Sequence, residues 1–209
     1  MANRRIVTYG GYFEAFIATL PERVIQKIDY GLVLLKTMDR LPAKHMKYLE
    51  DGIFELRTEF EGNIYRTFFI FDGNQVVVLF NGFQKKGQRT PKKRLKKRNG
   101  LKENMMEEKV NDSQLRSYDA VLDAKYGKPG SPERTRFEEE AYSFYFGQAL
   151  RDTRKEAKVT QLELARRVGT SKSYISKVEH GNILPSIGAY CRLLNALGRD
   201  IEIVKYSRT

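Results

Sequence analysis

The spacing of apolar residues divides the chain into a first half with strand-like runs and a second half with helical periodicity. Three short apolar runs, rich in Phe, Val, Ile and Tyr, cover residues 53–57, 64–71 and 75–80. The turn sequences Glu-Gly-Asn and Asp-Gly-Asn separate them, and turns of this kind join neighbouring antiparallel strands. The pattern therefore predicts a meander of consecutive hairpins.

The segments on either side of the meander complete an α+β domain. Residues 4–9 predict a short strand, and residues 13–20 and 21–38 predict two helices, the second with Pro21 in its first turn. Thr90-Pro91 opens a basic helix that is expected to run to about Glu108. The first domain, residues 1–109, is thus predicted to hold two helices packed with a small antiparallel sheet, followed by the basic helix.

From residue 110 onward the pattern is almost entirely helical. Residues 111–126 predict a helix or an ordered arm, and residues 127–132 predict a loop. A long helix is expected over residues 133–157 and a shorter one over residues 186–197, with a terminal strand over residues 201–206. The second domain, residues 110–209, is therefore expected to be built on an all-α bundle.

Two short helices joined by a tight turn are predicted within residues 158–186. Thr160 can cap the first helix with Glu163 as its capping-box partner, Gly169 suits the left-handed turn, and Ser171 can cap the second helix. An ordinary helical hairpin is the alternative, but it needs neither so short a turn nor so polar an outer face. The side chains left outside can reach phosphates and base edges in a major groove; they are Lys172, Ser173, Tyr174, Ser176 and Lys177.

Charge adds a second polyanion-binding candidate, in the first half. The net charge is +12, and residues 1–100 carry 19 Lys/Arg against 10 Asp/Glu. Residues 85–98 hold nine cations and no acid. Such a run favours nucleic acid as a partner, although a solvated surface helix is the alternative.

Composition narrows the chemistry further. One cysteine, Cys191, and two histidines do not suffice for a zinc site, and no Gly-rich phosphate-binding loop is present. We therefore expect neither a metal nor a cofactor. No apolar run has the length of a membrane span and the N-terminus lacks a secretory pattern, so a cytoplasmic protein without membrane contact is expected.

Cationic side chains on the predicted sheet suggest a site for a phosphodiester. RNA cleavage by the 2′-hydroxyl needs a base, charge stabilisation at the phosphate and an acid for the leaving group. Arg57 and Arg66 would lie close together if both face the same side of the meander, and Lys85 and Lys86 follow its last strand. The four can clamp a phosphate, or the arginines are ordinary surface cations; Tyr65 is expected on the opposite, core side.

A general base is harder to place. The first half has one histidine, His45, which precedes the Asp51-Gly52 turn. It is either the base or a solvent-exposed loop residue, and the second interpretation is favoured.

The second half resembles the Xre/Cro-type helix-turn-helix family over about residues 146–198. The matching segments are Thr-Gln-Leu-Glu-Leu-Ala at 160–165, Gly169, Ser171, Tyr-Ile-Ser-Lys-Val-Glu at 174–179, Gly181 and Pro-Ser at 185–186. The resemblance implies that the second helix lies in the DNA groove and that Gln161 meets the DNA backbone. The implied DNA-binding residues are Gln161, Ser171, Lys172, Ser173, Tyr174 and Lys177.

The first half resembles the HigB-like branch of the RelE toxin superfamily, which includes phage Gp49-like proteins. The motifs are Gly-x-x-Glu-Leu-Arg, Tyr-Arg, Gly-Phe-x-Lys-Lys and Thr-Pro, in that order within residues 1–108. Members of the branch are cytoplasmic endoribonucleases that cut mRNA on the ribosome. The resemblance implies a catalytic role for Arg57, Arg66, Lys85 and Lys86 and RNA binding by Lys92, Lys93 and Arg94. Many relatives carry His where this chain has Asn81.

Operons of that branch encode a HigA-like antitoxin with an Xre-type domain, and here both parts occur in one chain. The resemblance implies a toxin–antitoxin module with a joint near residues 109/110. Its expected partners are mRNA and the ribosome, operator DNA, and the two halves themselves, within one chain or between the chains of a homodimer. Acidic residues at 107–123 and 138–140 can meet the basic helix at 91–98. The alternative is a transcriptional regulator whose RelE-like domain is catalytically dead.

Overall fold

The chain forms two compact units, Met1–Glu138 and Glu139–Thr209. The computed structural model describes residues 4–38, 41, 44–73, 76–85 and 114–202, and for residues 76–85 it describes the backbone. The predicted basic helix at 91–108 lies outside the described residues, as do Lys86, Lys92, Lys93 and Arg94.

The first unit is built on a sheet with helices packed against it. In chain order its elements are β1 (Arg5–Tyr9), α1 (Tyr12–Ile17), α2 (Glu22–Thr37), β2 (Met46–Glu50), β3 (Ile53–Phe60), β4 (Asn63–Asp72), β5 (Val76–Lys85), β6 (Leu115–Ser117) and α3 (Tyr118–Tyr126). The α+β class, the two N-terminal helices and the three-stranded meander are confirmed. Pro21 stands one residue before its predicted place, as the N-cap of α2.

The sheet has six strands in the order β2-β3-β4-β5-β1-β6. The meander β3-β4-β5 is antiparallel as predicted, whereas β1 runs parallel to β5 and makes the sheet mixed. The strands are longer than the apolar runs. The prediction that Lys85 follows the last strand of the meander is therefore wrong, because Lys85 is the last residue of β5. Cross-strand hydrogen bonds extend strands beyond the residues whose side chains are apolar.

Side chains on the two faces of the sheet enter different cores. Ile6 on β1, Leu56 on β3 and Phe69 on β4 are fully buried, as are Ile28 and Leu32 on α2. On the opposite face a smaller cluster is formed by Tyr9, Ile53, Phe68 and Ile70. Because side chains alternate along a strand, the second face also carries the positions of Glu55, Arg57 and Arg66.

Residues 114–126 pack as an arm on the first unit. β6 pairs antiparallel with β1 and extends the sheet at that edge, and Asp119 Oδ2 accepts a hydrogen bond from the Ile6 amide at 3.2 Å. Asp119 Oδ1 also forms an ion pair with Lys36 at 2.8 Å. The compact units therefore divide at residues 138/139, whereas the domains predicted from the sequence meet at residues 109/110.

The arm also supplies the hydrogen bonds of a buried carboxylate in α2. Asp29 is fully buried and accepts hydrogen bonds from the Tyr118 and Tyr126 hydroxyls, each at 2.8 Å, and from Lys125 at 3.3 Å. Burial raises the pKa of Asp29 above its ordinary value, and these donors offset only part of that effect. All three donors belong to α3, so Asp29 depends on the arm for its described side-chain partners.

The second unit is helical. The helix α4 (Pro132–Glu156) contains the division between the units, and α5 (Gln161–Val168), α6 (Lys172–Glu179) and α7 (Ile187–Asn195) follow it. The core of this unit joins Leu150 of α4 to side chains of the three short helices, among them Leu164, Ile175, Val178 and Leu193. The predicted helices are confirmed; Ile201 and Glu202 are not in a strand, and the rest of the predicted terminal strand lies outside the described residues.

Candidate nucleic-acid interfaces

Two arginines and one glutamate form a cluster on the second face of the sheet. Arg57 of β3 lies directly opposite Arg66 of β4 in the antiparallel register, which confirms that the two share a side of the meander. Glu55 lies two residues before Arg57 on the same face, and its Oε1 accepts a hydrogen bond from Arg57 Nε and another from Arg66 Nη1. We call these three residues the arginine clamp.

Burial gives the three residues different roles in the clamp. The Glu55 side chain is 2% exposed and that of Arg66 is 8% exposed, whereas that of Arg57 is 29% exposed. Burial raises the pKa of Glu55, but the hydrogen bonds and positive charges of Arg66 and Arg57 outweigh it and hold the pKa below its ordinary value. Glu55 is therefore ionised at neutral pH and pairs with both guanidinium groups.

Arg66 retains a donor that the clamp does not use. Its Nε is buried and has no hydrogen-bond partner among the described residues. Buried N–H groups without partners are rare in folded proteins, because they lose their water without replacing it. Together with the partly exposed Arg57, this donor makes the clamp suited to an anion with several acceptor oxygens.

The structure confirms some of the predicted positions of the other residues near this site and contradicts others. Lys85 pairs in register with Ile64, two residues from Arg66 along β4, and Lys86 lies outside the described residues. Tyr65 is 6% exposed, which confirms its predicted core position. His45 is 3% exposed, so the expectation of a solvent-exposed loop histidine is wrong.

The reason for the burial of His45 is a strand that the sequence did not predict. His45 directly precedes β2, which pairs with β3, and its carbonyl accepts a hydrogen bond from the Arg57 amide at 2.7 Å. Glu55 was also missed as a site residue. The signal was the Glu-x-Arg spacing in a strand, which places both side chains on one face.

The helix pair of the second unit has the capping predicted from the sequence. The Thr160 hydroxyl accepts from the Glu163 amide at 3.1 Å, and the Ser171 hydroxyl accepts from the Tyr174 amide at 3.1 Å. Gly169 ends α5 in the left-handed region, with φ of 69°. These features place α5 and α6 on either side of a sharp turn, as in a helix-turn-helix.

The residues predicted to contact DNA are not equally available. Lys172, Ser173 and Lys177 are exposed on α6. Tyr174 is half-buried and packs against the core of the unit, so its ring is partly occupied there. Ser171 is exposed, although its hydroxyl already accepts the capping bond.

Gln161 belongs to a buried ionic network that ties the motif to α4. Arg154 of α4 donates to both oxygens of Glu179, from Nε at 2.5 Å and from Nη2 at 2.8 Å. The Gln161 amide donates to Glu179 Oε2 at 2.8 Å. Since an amide nitrogen carries two hydrogens, Gln161 keeps one N–H that this hydrogen bond does not use.

This architecture, an α+β unit with an arginine clamp followed by a capped helix pair, defines a helix-turn-helix protein that carries a second domain. Residues 15–101 match the model of phage-derived Gp49-like proteins, a RelE/HigB-like family. Residues 146–203 match a helix-turn-helix domain. The chain therefore carries a helix-turn-helix domain in its second half, and its first half is similar to Gp49-like proteins.

Several curated proteins resemble part of the chain. The ImmF control region 10 kDa protein of Bacillus phage phi105 is 34% identical over 59 residues, which are 28% of this chain and 66% of that protein. The immunity repressor protein of the same phage is 33% identical over 58 residues, 28% of this chain and 40% of the repressor. An uncharacterised helix-turn-helix transcriptional regulator of Methanothermobacter thermautotrophicus is 43% identical over 51 residues, 24% of this chain and 74% of the regulator.

Within the described ranges, no helix is both long and apolar enough to cross a bilayer. The same part of the chain contains no group of three or more His, Cys, Asp or Glu side chains that could hold a metal ion.

Proposed function

We propose that the chain is a toxin–antitoxin module in a single polypeptide. In this proposal residues 1–109 are a ribosome-dependent mRNA endoribonuclease of the HigB type, which acts in the cytoplasm. Residues 110–209 are a HigA-like antitoxin that neutralises the nuclease and binds operator DNA to repress its own operon. The observation that carries the nuclease half is the arginine clamp on the sheet of a Gp49-like domain.

The clamp supports the chemistry of RNA cleavage. In that reaction the 2′-oxygen attacks the phosphorus, its proton leaves to a base, and the 5′-oxygen departs with a proton to leave a 2′,3′-cyclic phosphate. Negative charge builds on the non-bridging oxygens, and two guanidinium groups can stabilise it. We propose Arg57 and Arg66 for this role with Lys85 and Lys86, and Lys92, Lys93 and Arg94 as contacts to the RNA backbone.

The arm supports neutralisation by the second half. Residues 114–126 fall after the proposed joint at 109/110, yet they pair with β1 and supply the hydrogen bonds of Asp29. An antitoxin segment docked in this way stays bound to the nuclease domain. Blocked access to the ribosome would follow from that contact.

The test of the nuclease proposal is the sequencing of mRNA 5′ ends after low-level induction of residues 1–109. We expect new 5′ ends that depend on translation. Arg57→Ala should remove them, because it deletes the partly exposed guanidinium while Glu55 keeps Arg66 as a partner. Arg23→Ala is the matched control, since Arg23 is exposed on α2 away from the clamp. Equal cleavage by both variants would refute the role of the clamp.

The DNA-binding proposal rests on the capped helix pair and its exposed cations. Helix-turn-helix domains usually bind paired half-sites about one helical turn apart as dimers. We therefore propose that the chain binds its operator as a homodimer. We propose base and backbone contacts by Gln161, Ser171, Lys172, Ser173, Tyr174 and Lys177.

Salt-dependent binding to DNA from the chain's own promoter tests this half. Lys172→Ala with Lys177→Ala should weaken binding about tenfold or more and lower the salt slope by about two, roughly one for each lost phosphate contact. The control pair is Lys128→Ala with Lys155→Ala, two exposed lysines outside the motif. An equal effect of the two pairs would count against α6 as the recognition helix.

A second candidate function is supported by the names of the relatives. Two of them are a phage control-region protein and a phage immunity repressor. The chain would then be a transcriptional regulator whose RelE-like domain no longer cleaves RNA, and Asn81 at the position of a common histidine favours this. Operator binding without any mRNA cleavage by residues 1–109 would select it.

A further inference from the structure

We propose that Glu55 is a positioning residue of an anion site: it holds Arg57 and Arg66 side by side so that both guanidinium groups bind one phosphodiester. The identity of the anion rests on the proposed function, whereas the positioning does not. The proposal adds a residue to the site and assigns it a role that acts through the two arginines.

The register explains why a positioning residue is needed. Arg57 and Arg66 occupy directly opposed positions on antiparallel strands, and like charges in such positions repel each other. Without a third group the two side chains would turn apart. One oxygen of Glu55 accepts from both, so the carboxylate joins the two cations at a single point.

The hydrogen bonds also decide which donors remain for a ligand. Glu55 occupies Nε of Arg57 and Nη1 of Arg66. The terminal amino groups of the partly exposed Arg57 are left, and so is the buried Nε of Arg66, which has no partner in the part of the chain that the structure describes. These donors can be shared by the non-bridging oxygens of one phosphodiester, which accept several hydrogen bonds.

The charges agree with a monoanionic ligand. Two guanidinium groups and one carboxylate leave the clamp with one net positive charge, and each phosphodiester in RNA carries one negative charge. Burial strengthens the attraction, because the 2% exposed Glu55 and the 8% exposed Arg66 are largely removed from water.

The competing interpretation is that Glu55 only compensates charge in the fold. The two interpretations predict different anion affinities for two variants. Glu55→Asp keeps the charge but shortens the reach, so mere compensation leaves anion binding as in the unaltered protein. Glu55→Gln raises the net charge of the clamp, so mere compensation leads to tighter binding. Positioning leads to weaker binding in both.

The experiment uses the full chain with ¹⁵N-labelled arginine, followed by NMR of the Nε–H groups. Signals of Arg57 and Arg66 are assigned by their loss in Arg57→Lys and Arg66→Lys. The probe is a 2′-O-methyl dinucleotide, which has the phosphodiester but lacks the attacking hydroxyl. Asp72→Asn is the control, because Asp72 is exposed at the end of β4 and the substitution removes the same charge as Glu55→Gln.

We expect the free protein to show an Arg57 Nε–H that exchanges with water far more slowly than that of the exposed Arg23. Addition of the probe should shift Arg66 Nε–H, and both Glu55 variants should weaken this binding about tenfold or more, as for a lost charge-assisted hydrogen bond. Asp72→Asn should bind as the unaltered protein does.

The possible failures are separable. Binding by Glu55→Asp equal to that of the unaltered protein, or tighter binding by Glu55→Gln, overturns the positioning role. Fast exchange of Arg57 Nε–H in the unaltered protein overturns it as well, even if the variants do not fold. A protected Arg57 signal with no response of Arg66 to the probe supports the positioning role of Glu55. The same result excludes a phosphodiester as the ligand of the clamp, and with it the proposed nuclease function.

Discussion

At the residue scale, a buried carboxylate holds arginine in each unit. Glu55 accepts hydrogen bonds from two arginines on neighbouring strands. Glu179 accepts two hydrogen bonds from a single arginine of α4. The Arg154–Glu179 pair uses both carboxylate oxygens, and Arg154 Nη1 donates to the Val159 carbonyl at 2.8 Å. In the Glu55 cluster, Arg66 Nε has no hydrogen-bond partner among the described residues. The Glu55 cluster is therefore suited to a ligand, whereas the Arg154–Glu179 pair is suited to holding helices together.

The titration of Glu55 leads to a pH dependence of stability. Its pKa in the folded chain lies below the ordinary value of 4.5, so its ionised form stabilises the fold above about that pH and the contribution is lost as the pH falls further. Glu55→Gln has no such group. We expect the difference in unfolding free energy between the two proteins to shrink between pH 7 and pH 3, measured by urea denaturation. A constant difference would contradict the assignment.

The Arg154–Glu179 pair should dominate the polar contribution to the second unit. Glu179→Ala leaves a buried guanidinium unpaired and should cost about 3–5 kcal/mol of unfolding free energy. Glu163 and Arg167 form the matched exposed pair, with side chains 45% and 43% exposed. Glu163→Ala should cost less than about 1 kcal/mol. Similar losses in urea denaturation would show that burial does not separate the two pairs.

At the element scale, a glycine sets how closely α4 approaches the end of α6. A β-carbon on Gly147 would lie 2.2 Å from the Val178 carbonyl oxygen, which is part of the backbone and cannot move aside easily. Gly181, with φ of 72°, brings the chain after α6 to the α4 backbone, and Ser143 donates to its carbonyl at 3.0 Å. The helix-turn-helix therefore packs on α4 through backbone contacts.

Gly147→Ala should destabilise the second unit by about 1–3 kcal/mol, the usual cost of overpacking. Gly188 is the control, because it also lies in a helix but nothing is within 4 Å of the added carbon. Gly188→Ala should be neutral or stabilising by up to about 1 kcal/mol through helix propensity. Thermal denaturation followed by circular dichroism distinguishes them, and equal effects would contradict the close packing.

Local pattern predicted the elements that have a strong period or caps. The meander alternates in β-forming residues, and Thr160, Gly169 and Ser171 mark the ends of the helix pair. β2 and β6 were missed because Met-Lys-Tyr-Leu-Glu and Leu-Arg-Ser have no clear alternation and become strands through pairing with β3 and β1. Long-range pairing of this kind is not encoded in the spacing of nearby residues.

In the candidate sites too, the sequence predicted what depends on local pattern and missed what depends on long-range contacts. The opposition of Arg57 and Arg66 followed from two strands and a turn, and the polar face of α6 followed from helical period. The partner of Gln161 and the role of Glu55 depend on which side chains the fold brings together. Neither follows from residue type at a single position.

At the scale of the whole molecule, residues beyond the proposed joint supply hydrogen-bond donors to the Gp49-like domain. Residues 1–109 lack Tyr118, Lys125 and Tyr126, so the fully buried Asp29 would lose these donors. A buried carboxylate without partners is costly. We expect strongly expressed residues 1–109 to be largely insoluble, and co-expressed residues 110–138 to raise the soluble fraction.

A soluble fraction that does not change would show that the arm is not needed for folding. Tyr118→Phe with Tyr126→Phe in the co-expressed segment should reduce the rescue, since both hydroxyls donate to Asp29 at 2.8 Å. Lys128→Ala in the same segment is the control, because Lys128 is exposed in the loop after α3.

Growth of a bacterial culture after weak induction of residues 1–109 tests the central claim most directly. The account predicts growth arrest with residues 1–109, normal growth with the full chain, and recovery when residues 110–209 are supplied from a second gene. Arg57→Ala should abolish the arrest and Arg23→Ala should preserve it. Normal growth with soluble residues 1–109, or an arrest that Arg57→Ala leaves unchanged, would contradict the claim that this domain is a nuclease held in check by the rest of the chain.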